Sequence, residues 1–267
     1  MTEVEAIERT DEPVTVERLV DDLRRLGIES DDTLLVHTAM HRLGWVCGGA
    51  PAVVDALMEV LAGGTLVMPT FTTQYTDPRA WSNPPVPTEW VPTIVERRPP
   101  YRPAITPTRM MGAVAECFRT YPQVVRSEHP IYSFAAWGDG AAELVADHGL
   151  PDGLGDNSPL ATVYERDGSI LMLGTDYETN TSLHLAEYRA GIDLDRLVTR
   201  VPVIRDGERV MVDVSELDVR TDDFDSVGVA FEAEQTVPTG EIGVATARLI
   251  DHADLVDFAS TWFEANR

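Results

Sequence analysis

The sequence predicts an α/β protein: one domain on a largely parallel central sheet, with a small β-hairpin lobe near residues 198–215. Three observations carry this. Short apolar runs alternate with amphipathic, helix-length segments, the rhythm of βαβ units. The 267 residues contain no internal repeat, low-complexity tract or clean linker, so residues 1–267 read as a single domain. Asp206-Gly207 separates two strand-like runs, a strong two-residue hairpin signal.

Taken in order, residues 1–15 are polar and are expected to be loosely held. Leu19, Val20, Leu23 and Leu26 recur at helical spacing, with Gly27 as the stop. A strand at 33–37 leads into a loop, 38–49, and a helix from Pro51 to about Leu61 with proline in its first turn. Gly63-Gly64 ends that helix, and 65–70 is a second buried strand. Such a βαβ unit is expected to be parallel and right-handed, so the loops after Thr38 and from Phe71 open on the same carboxyl edge. Residues 72–108 carry much of the proline, together with Trp81 and Trp90, and a loop of that length is usually functional. A helix is expected near 109–119, an irregular stretch at 127–132, a strand near 133–137 and a helix near 141–148. Ser158-Pro159 opens a helix running to about Asp167, and 169–174 is a buried strand. Asn180 or Thr181 caps the next helix. The hairpin follows at 199–205 and 208–214. The chain closes with a strand near 243–250, Asp251 as a cap, and a helix bearing Leu255, Val256, Phe258, Ala259, Trp262 and Phe263.

Composition narrows the function. Hydrophobic content is 43%, ample for a core, and no apolar run approaches the roughly 20 residues that span a bilayer. Only Cys47 and Cys117 occur and the N-terminal stretch is acidic, so a reducing cytoplasm is the expected compartment, with no membrane partner. Net charge is -24 and lysine is absent, which argues against nucleic-acid binding. Two explanations of the acidity compete: steering of a cationic substrate, or a solvated surface suited to a salt-rich cytoplasm. At about 1 M salt the screening length falls to roughly 3 Å and steering vanishes, so the acid-rich, lysine-free surface favours the halophilic reading.

The most informative stretch is 180–189, where His184 and Glu187 fall three apart on one helix face just past the carboxyl end of a strand. A neutral imidazole there accepts a proton near neutral pH, and the carboxylate fixes its tautomer. The ordinary alternative is a histidine packed on its own helix with an exposed glutamate. A metal reading, with His37 or His129 as third ligand, lacks a dense ligand cluster, and no metal is expected. Residues 36–40 lead toward Gly44, Gly48 and Gly49, where backbone can approach a ligand, without any familiar phosphate-loop pattern. Segments 129–133 and 155–160 enter a strand and a helix, the latter offering a helix N-terminus for which plain capping is the simpler use. Arg97, Arg98, Arg102, Arg109 and Arg126 could meet phosphates or pair with surface acids. Cys47 is an alternative acyl-accepting nucleophile, with His41 or His184 as base.

Taken together, Val36-His37-Thr38 with 44–51, 68–72, 106–112, Arg126-Ser127 through His129-Pro130 to Ser133, 158–160 and 180–189 resemble the aminoglycoside N3-acetyltransferase family. The likeness runs in order from about Val16 to the C-terminus. The resemblance implies an acetyl-CoA-dependent transferase on a single αβα-layered fold, distinct from the small N-acetyltransferase fold. It implies His184 as general base aided by Glu187, and a pantetheine arm against His37, Thr38, Ala39 and Met40 and near Thr70 and Ser133. It puts a helix start at Thr108-Arg109 by the phosphates. The chain departs from the family at Ala39, commonly serine, so any cofactor contact there is expected through backbone. The acceptor is expected to be a small-molecule amine, aminoglycoside-like or an amino sugar. An unrelated metabolic amine and a CoA-binding protein without transferase activity are the alternatives. Asp77, Glu89, Asp152, Asp156, Asp176 and Glu178 are the candidate acceptor-binding acids, and a homodimer is left open.

Overall fold

The computed structural model describes residues 3–267. Helix α1 (Glu3–Glu8) precedes α2 (Val16–Leu26), which Thr15 caps by accepting the Arg18 N–H and Gly27 stops in the left-handed region. Strand β1 (Thr33–Thr38), α3 (Ala50–Val60) and β2 (Thr65–Pro69) form the first βαβ unit, with Pro51 in the first turn of α3. A long segment then holds three single-turn 3-10 helices and α4 (Val91–Arg97) before α5 (Gly112–Phe118). Next come β3 (Val125–Arg126), β4 (Phe134–Gly138), α6 (Ala141–Ala146), α7 (Pro159–Glu165), β5 (Ser169–Leu173) and α8 (Ser182–Arg189). The chain continues through β6 (Arg196–Arg205), β7 (Glu208–Leu217), α9 (Phe224–Glu234), β8 (Thr239–Ile242), β9 (Ala245–Asp251) and α10 (His252–Asn266).

The main sheet has the order β3-β4-β2-β1-β5-β9-β8. Its centre, β2-β1-β5, is parallel, and antiparallel strands flank it on both sides. Central strands buried on both faces explain the continuous apolar runs. In β1, Leu34 and Val36 enter the core under α2, α3 and α5, whereas Leu35 enters the opposite core under α6, α7, α8 and α10. β5 divides in the same way, Leu171 and Leu173 against Ile170 and Met172. The result is three layers, αβα, as the resemblance implies. Because β1, β2 and β5 run parallel, the segments after Thr38, Pro69 and Leu173 all emerge on one edge.

The hairpin β6–β7 turns through Asp206 and Gly207, both at positive φ, and forms a separate two-stranded sheet. Val201, Val203, Val212 and Val214 bury its inner face against Tyr75, Tyr101 and Ile131. The proline-rich segment is therefore docked, with Tyr101 donating its hydroxyl to the Ser127 carbonyl at 2.9 Å and its N–H to Pro202 at 2.8 Å. One expected boundary moves. α5 begins at Gly112, not at Arg109, because Met110 and Gly112 both have positive φ, a conformation that does not propagate a helix. The N-terminal segment, expected to be loosely held, contains α1 and bonds through Thr10 Oγ1 to the Trp45 N–H. α9, β8, the short β3 and α4, which lies within the stretch 72–108 expected to be loop, have no counterpart in the sequence reading.

Candidate functional site at the carboxyl edge

At the parallel edge, the turn after β5 runs through Gly174, whose φ of 68° disfavours any side chain and where a Cβ would press on Arg42 Cβ at 3.0 Å and Ala245 Cβ at 3.3 Å. Asn180 is fully buried and its side-chain oxygen accepts the Ser182 N–H at 3.0 Å, opening α8. One turn later His184 Nδ1 lies 2.6 Å from Glu187 Oε2. An ionised carboxylate only accepts, so Nδ1 carries the proton and a neutral ring keeps its lone pair on Nε2. The His184 side chain keeps 13% exposure and that of Glu187 none. Glu187 is thus buried, unlike the exposed partner of the ordinary alternative. Its second oxygen accepts from the Arg220 N–H at 2.8 Å and from the Arg267 guanidinium. The Phe224 ring packs 5.0 Å from the imidazole.

A cavity of about 520 Å³ reaches Thr181, one turn before His184, although His184 and Glu187 are not themselves among its lining residues. Its wall includes His37, Thr38, Ala39 and Met40 after β1, Met111 and Gly112 at the start of α5, and Thr175, Thr179 and Thr181 before α8. Apolar walls interrupted by hydroxyls fit a slender arm carrying amides and a thioester. Thr181 is one turn before His184, and its carbonyl accepts the His184 N–H at 3.1 Å. His37 is 7% exposed; burial, and next the charge of His184, lower its imidazole to about 4, so it is neutral near pH 7. The loop after β1 and the start of α8 both contribute to the cavity wall, through His37 and Thr181.

The structure brings His37, Thr38, Ala39 and Met40 to the wall and takes other expected residues away from it. The Ala39 N–H already bonds the Leu173 carbonyl at 2.9 Å, so this residue offers its methyl group and not a free amide. Thr70 and Ser133 are fully buried and do not line the cavity. Both hydroxyls meet Arg126 Nε at 3.1 Å, while Arg126 also bonds the carbonyls of Thr70, Pro103 and Thr106. Thr108 gives its N–H and hydroxyl to Glu116. Burial raises the Glu116 carboxyl, yet the bonds from Arg119 and Thr108 outweigh it and bring the group down to about 2. Arg109 stacks on the Trp81 ring at 4.8 Å.

Most of the candidate acids are already paired: Asp77 with Arg79, Asp152 with Arg196, Asp156 with Arg189 and Asp176 with Arg42. A second cavity, about 670 Å³, is lined by Asp193, Asp222, Asp223 and Glu264 with Arg220 and Arg267, the last two being partners of Glu187. His129 belongs to neither cavity. It stacks on His148 at 4.6 Å and bonds Glu216 through Nε2 at 3.2 Å. Cys47 is exposed in the loop before α3. Among the described residues no group of three His, Cys, Asp or Glu side chains is arranged to hold a metal, and no helix is long and apolar enough to cross a membrane. Arg126, expected to meet phosphates or surface acids, instead bonds backbone carbonyls and buried hydroxyls, and the sequence reading missed Arg220, Asp223 and Arg267. Their partners are distant along the chain, and no local pattern marks them.

A family model described as aminoglycoside 3-N-acetyltransferase matches residues 35–264. The SPbeta prophage-derived aminoglycoside N(3')-acetyltransferase-like protein YokD of Bacillus subtilis is 44% identical over 263 residues, 97% of this chain and 96% of its own. Its crystal structure matches with a TM-score of 0.95 at 42% identity, covering 98% of both chains. Aminoglycoside N(3)-acetyltransferase VII of Streptomyces paromomycinus is 34% identical over 280 residues, 99% of this chain and 96% of its own. Two solved complexes share the fold at 31% identity and TM-scores of 0.86. One is AAC-IIIb with CoASH, covering 95% of this chain and 97% of that one; the other is AAC-VIa bound to sisomicin, covering 96% and 99%.

Proposed function

The chain belongs to the aminoglycoside 3-N-acetyltransferase family, and from that premise we propose how its own residues carry the reaction. It is an acyltransferase that takes the acetyl group of acetyl-CoA and passes it to an amine of an aminoglycoside. His184 is the general base. Its Nε2 removes a proton from the acceptor nitrogen as that nitrogen bonds to the thioester carbonyl carbon. The carbon–sulfur bond breaks, and the imidazolium proton is returned to the departing thiolate or to solvent. Glu187 holds the tautomer and balances the imidazolium. The wall of His37, Thr38, Ala39 and Met40, continued by Met111 and Gly112, receives the pantetheine arm. The Thr181 hydroxyl lies on this wall near His184 and is the candidate donor to the carbonyl oxygen.

The observation that carries this reading is the 2.6 Å bond that commits His184 Nδ1 to a buried carboxylate, one turn after the Thr181 of the cavity wall. The test is release of free thiol from acetyl-CoA across an aminoglycoside panel. His184→Ala is expected to lose about 10²–10⁴ of the rate. Unchanged turnover would remove the base from the mechanism. Cys47→Ala is expected to keep full rate, whereas an acyl-cysteine route would lose it and would leave an acetylated protein when acceptor is withheld.

A further inference from the structure

Glu187 is a fully buried carboxylate on which α8, the segment after β7 and the end of α10 converge. The Arg267 guanidinium, just after α10, reaches it with Nη1 and with its other nitrogens grips Asp223, Nε to Oδ2 at 2.8 Å. Nη2 also meets the Arg220 carbonyl at 3.1 Å, and the guanidinium carbon sits 4.0 Å over the Phe263 ring. Such a fork is more than a surface clamp. One face of the cation is spent on the carboxylate that orients His184, the other on a second acid that touches nothing in the dyad.

We propose that Arg267 is a positioning residue of the acetyl-transfer site: it holds the Glu187 carboxylate aimed at His184 Nδ1, and with Asp223 it sets the charge against which His184 gains its proton. The inference rests on the reading of His184 as the base.

The charges make the argument specific. With neutral His184, the group of Glu187, Arg267 and Asp223 sums to one negative charge, and it becomes neutral as the imidazolium forms. Without Arg267 the same step starts from two negative charges inside a buried site, so the imidazole binds its proton more tightly and fewer molecules hold a free base near pH 7. Without Asp223 the change has the opposite sign. Burial works against the charge on Arg267, but its bonds to Asp223 and Glu187 outweigh that and raise its pKa; the Arg267 bond in turn lowers the Asp223 carboxyl. The other groups facing the dyad are His37 from β1, the Arg220 N–H and the Phe224 ring. Asp193, Asp222 and Glu264 line the second cavity together with Arg267, Glu264 being bonded to the Gly191 N–H.

The test is an NMR titration of the histidine rings in the full chain, the His184 signal being assigned by its loss in His184→Ala. Arg267→Met is expected to raise the His184 midpoint by about one pH unit. Asp223→Asn is expected to lower it, and Arg267→Lys, which keeps the charge but not the fork, to leave it near the wild-type position. Opposite displacements cannot come from general loosening, and Asp223→Asn and Arg267→Lys still decide the matter if Arg267→Met does not fold. With acetyl-CoA and sisomicin as probes, Arg267→Met should also lose about tenfold or more in kcat, with the KM for acetyl-CoA changed by less than about twofold. A His184 midpoint that stays in place, or moves the same way in both variants, overturns the inference. Full turnover by His184→Ala would instead overturn the base assignment, and the two failures are separately visible.

Discussion

Arg126 shows what a single residue does for the carboxyl edge. It is largely buried, which lowers its pKa, and its nitrogens meet the Thr70 and Ser133 hydroxyls and three backbone carbonyls while its carbon lies 5.4 Å over Tyr101. The bonds stitch the end of β2 to residues 103–106, the chain between the proline-rich segment and α5. Arg126→Leu would leave the carbonyls of Pro103 and Thr106 without this donor in an interior that water does not refill. We expect a loss of about 3 kcal/mol or more, read from the urea midpoint at unchanged m. A loss under about 1 kcal/mol would mean that these groups find water instead. Thr70 and Ser133 then stand as supports one layer behind the cavity, which is why a motif that contains them looks like a binding motif in the sequence.

At the scale of elements, the hairpin is fastened to the catalytic helix. Tyr188, next to Glu187 on α8, donates its hydroxyl to Glu216 Oε2 at 2.9 Å and accepts the Leu217 N–H at 3.0 Å. Tyr188→Phe should cost about 1–3 kcal/mol and speed amide exchange across β7 more than across β1. Equal protection in both proteins would show that the apolar contacts of the hairpin hold it without this bond. The hairpin itself was legible because Asp206-Gly207 states the turn locally, as the cap at Asn180 and the three-residue spacing of His184 and Glu187 state α8. α9 was not legible. Its Gly228 weakens any helical pattern, yet a Cβ there would meet the Tyr177 ring at 2.1 Å, so packing and not propensity chose the residue. The same limit hid Arg220 and Arg267: their meaning appears only when residues 187, 220 and 267 are brought together.

For the whole molecule, buried histidines couple stability to acidity. Burial is the leading cause that lowers His37 to about 4 and His148 and His252 to about 3, against an ordinary value near 6.5. The unfolded chain therefore binds up to three more protons than the native one. The stability these groups contribute is fully present above pH 6.5 and is lost as pH falls, toward 4 for His37 and toward 3 for His148 and His252. Between pH 6.5 and 5 the slope should approach about 4 kcal/mol per pH unit, measured from urea unfolding across that range. A slope below that of one proton would show that the rings become charged in the native state. The pinned carboxylate of Glu187 has a different consequence. A molecule whose last turn has lifted keeps its sheet, its cavity and its imidazole, but the ring is left to swivel beside an unanchored acid. On warming, turnover is therefore expected to fall at a lower temperature than the far-ultraviolet signal of the sheet, and coincident loss of the two would count against this dependence.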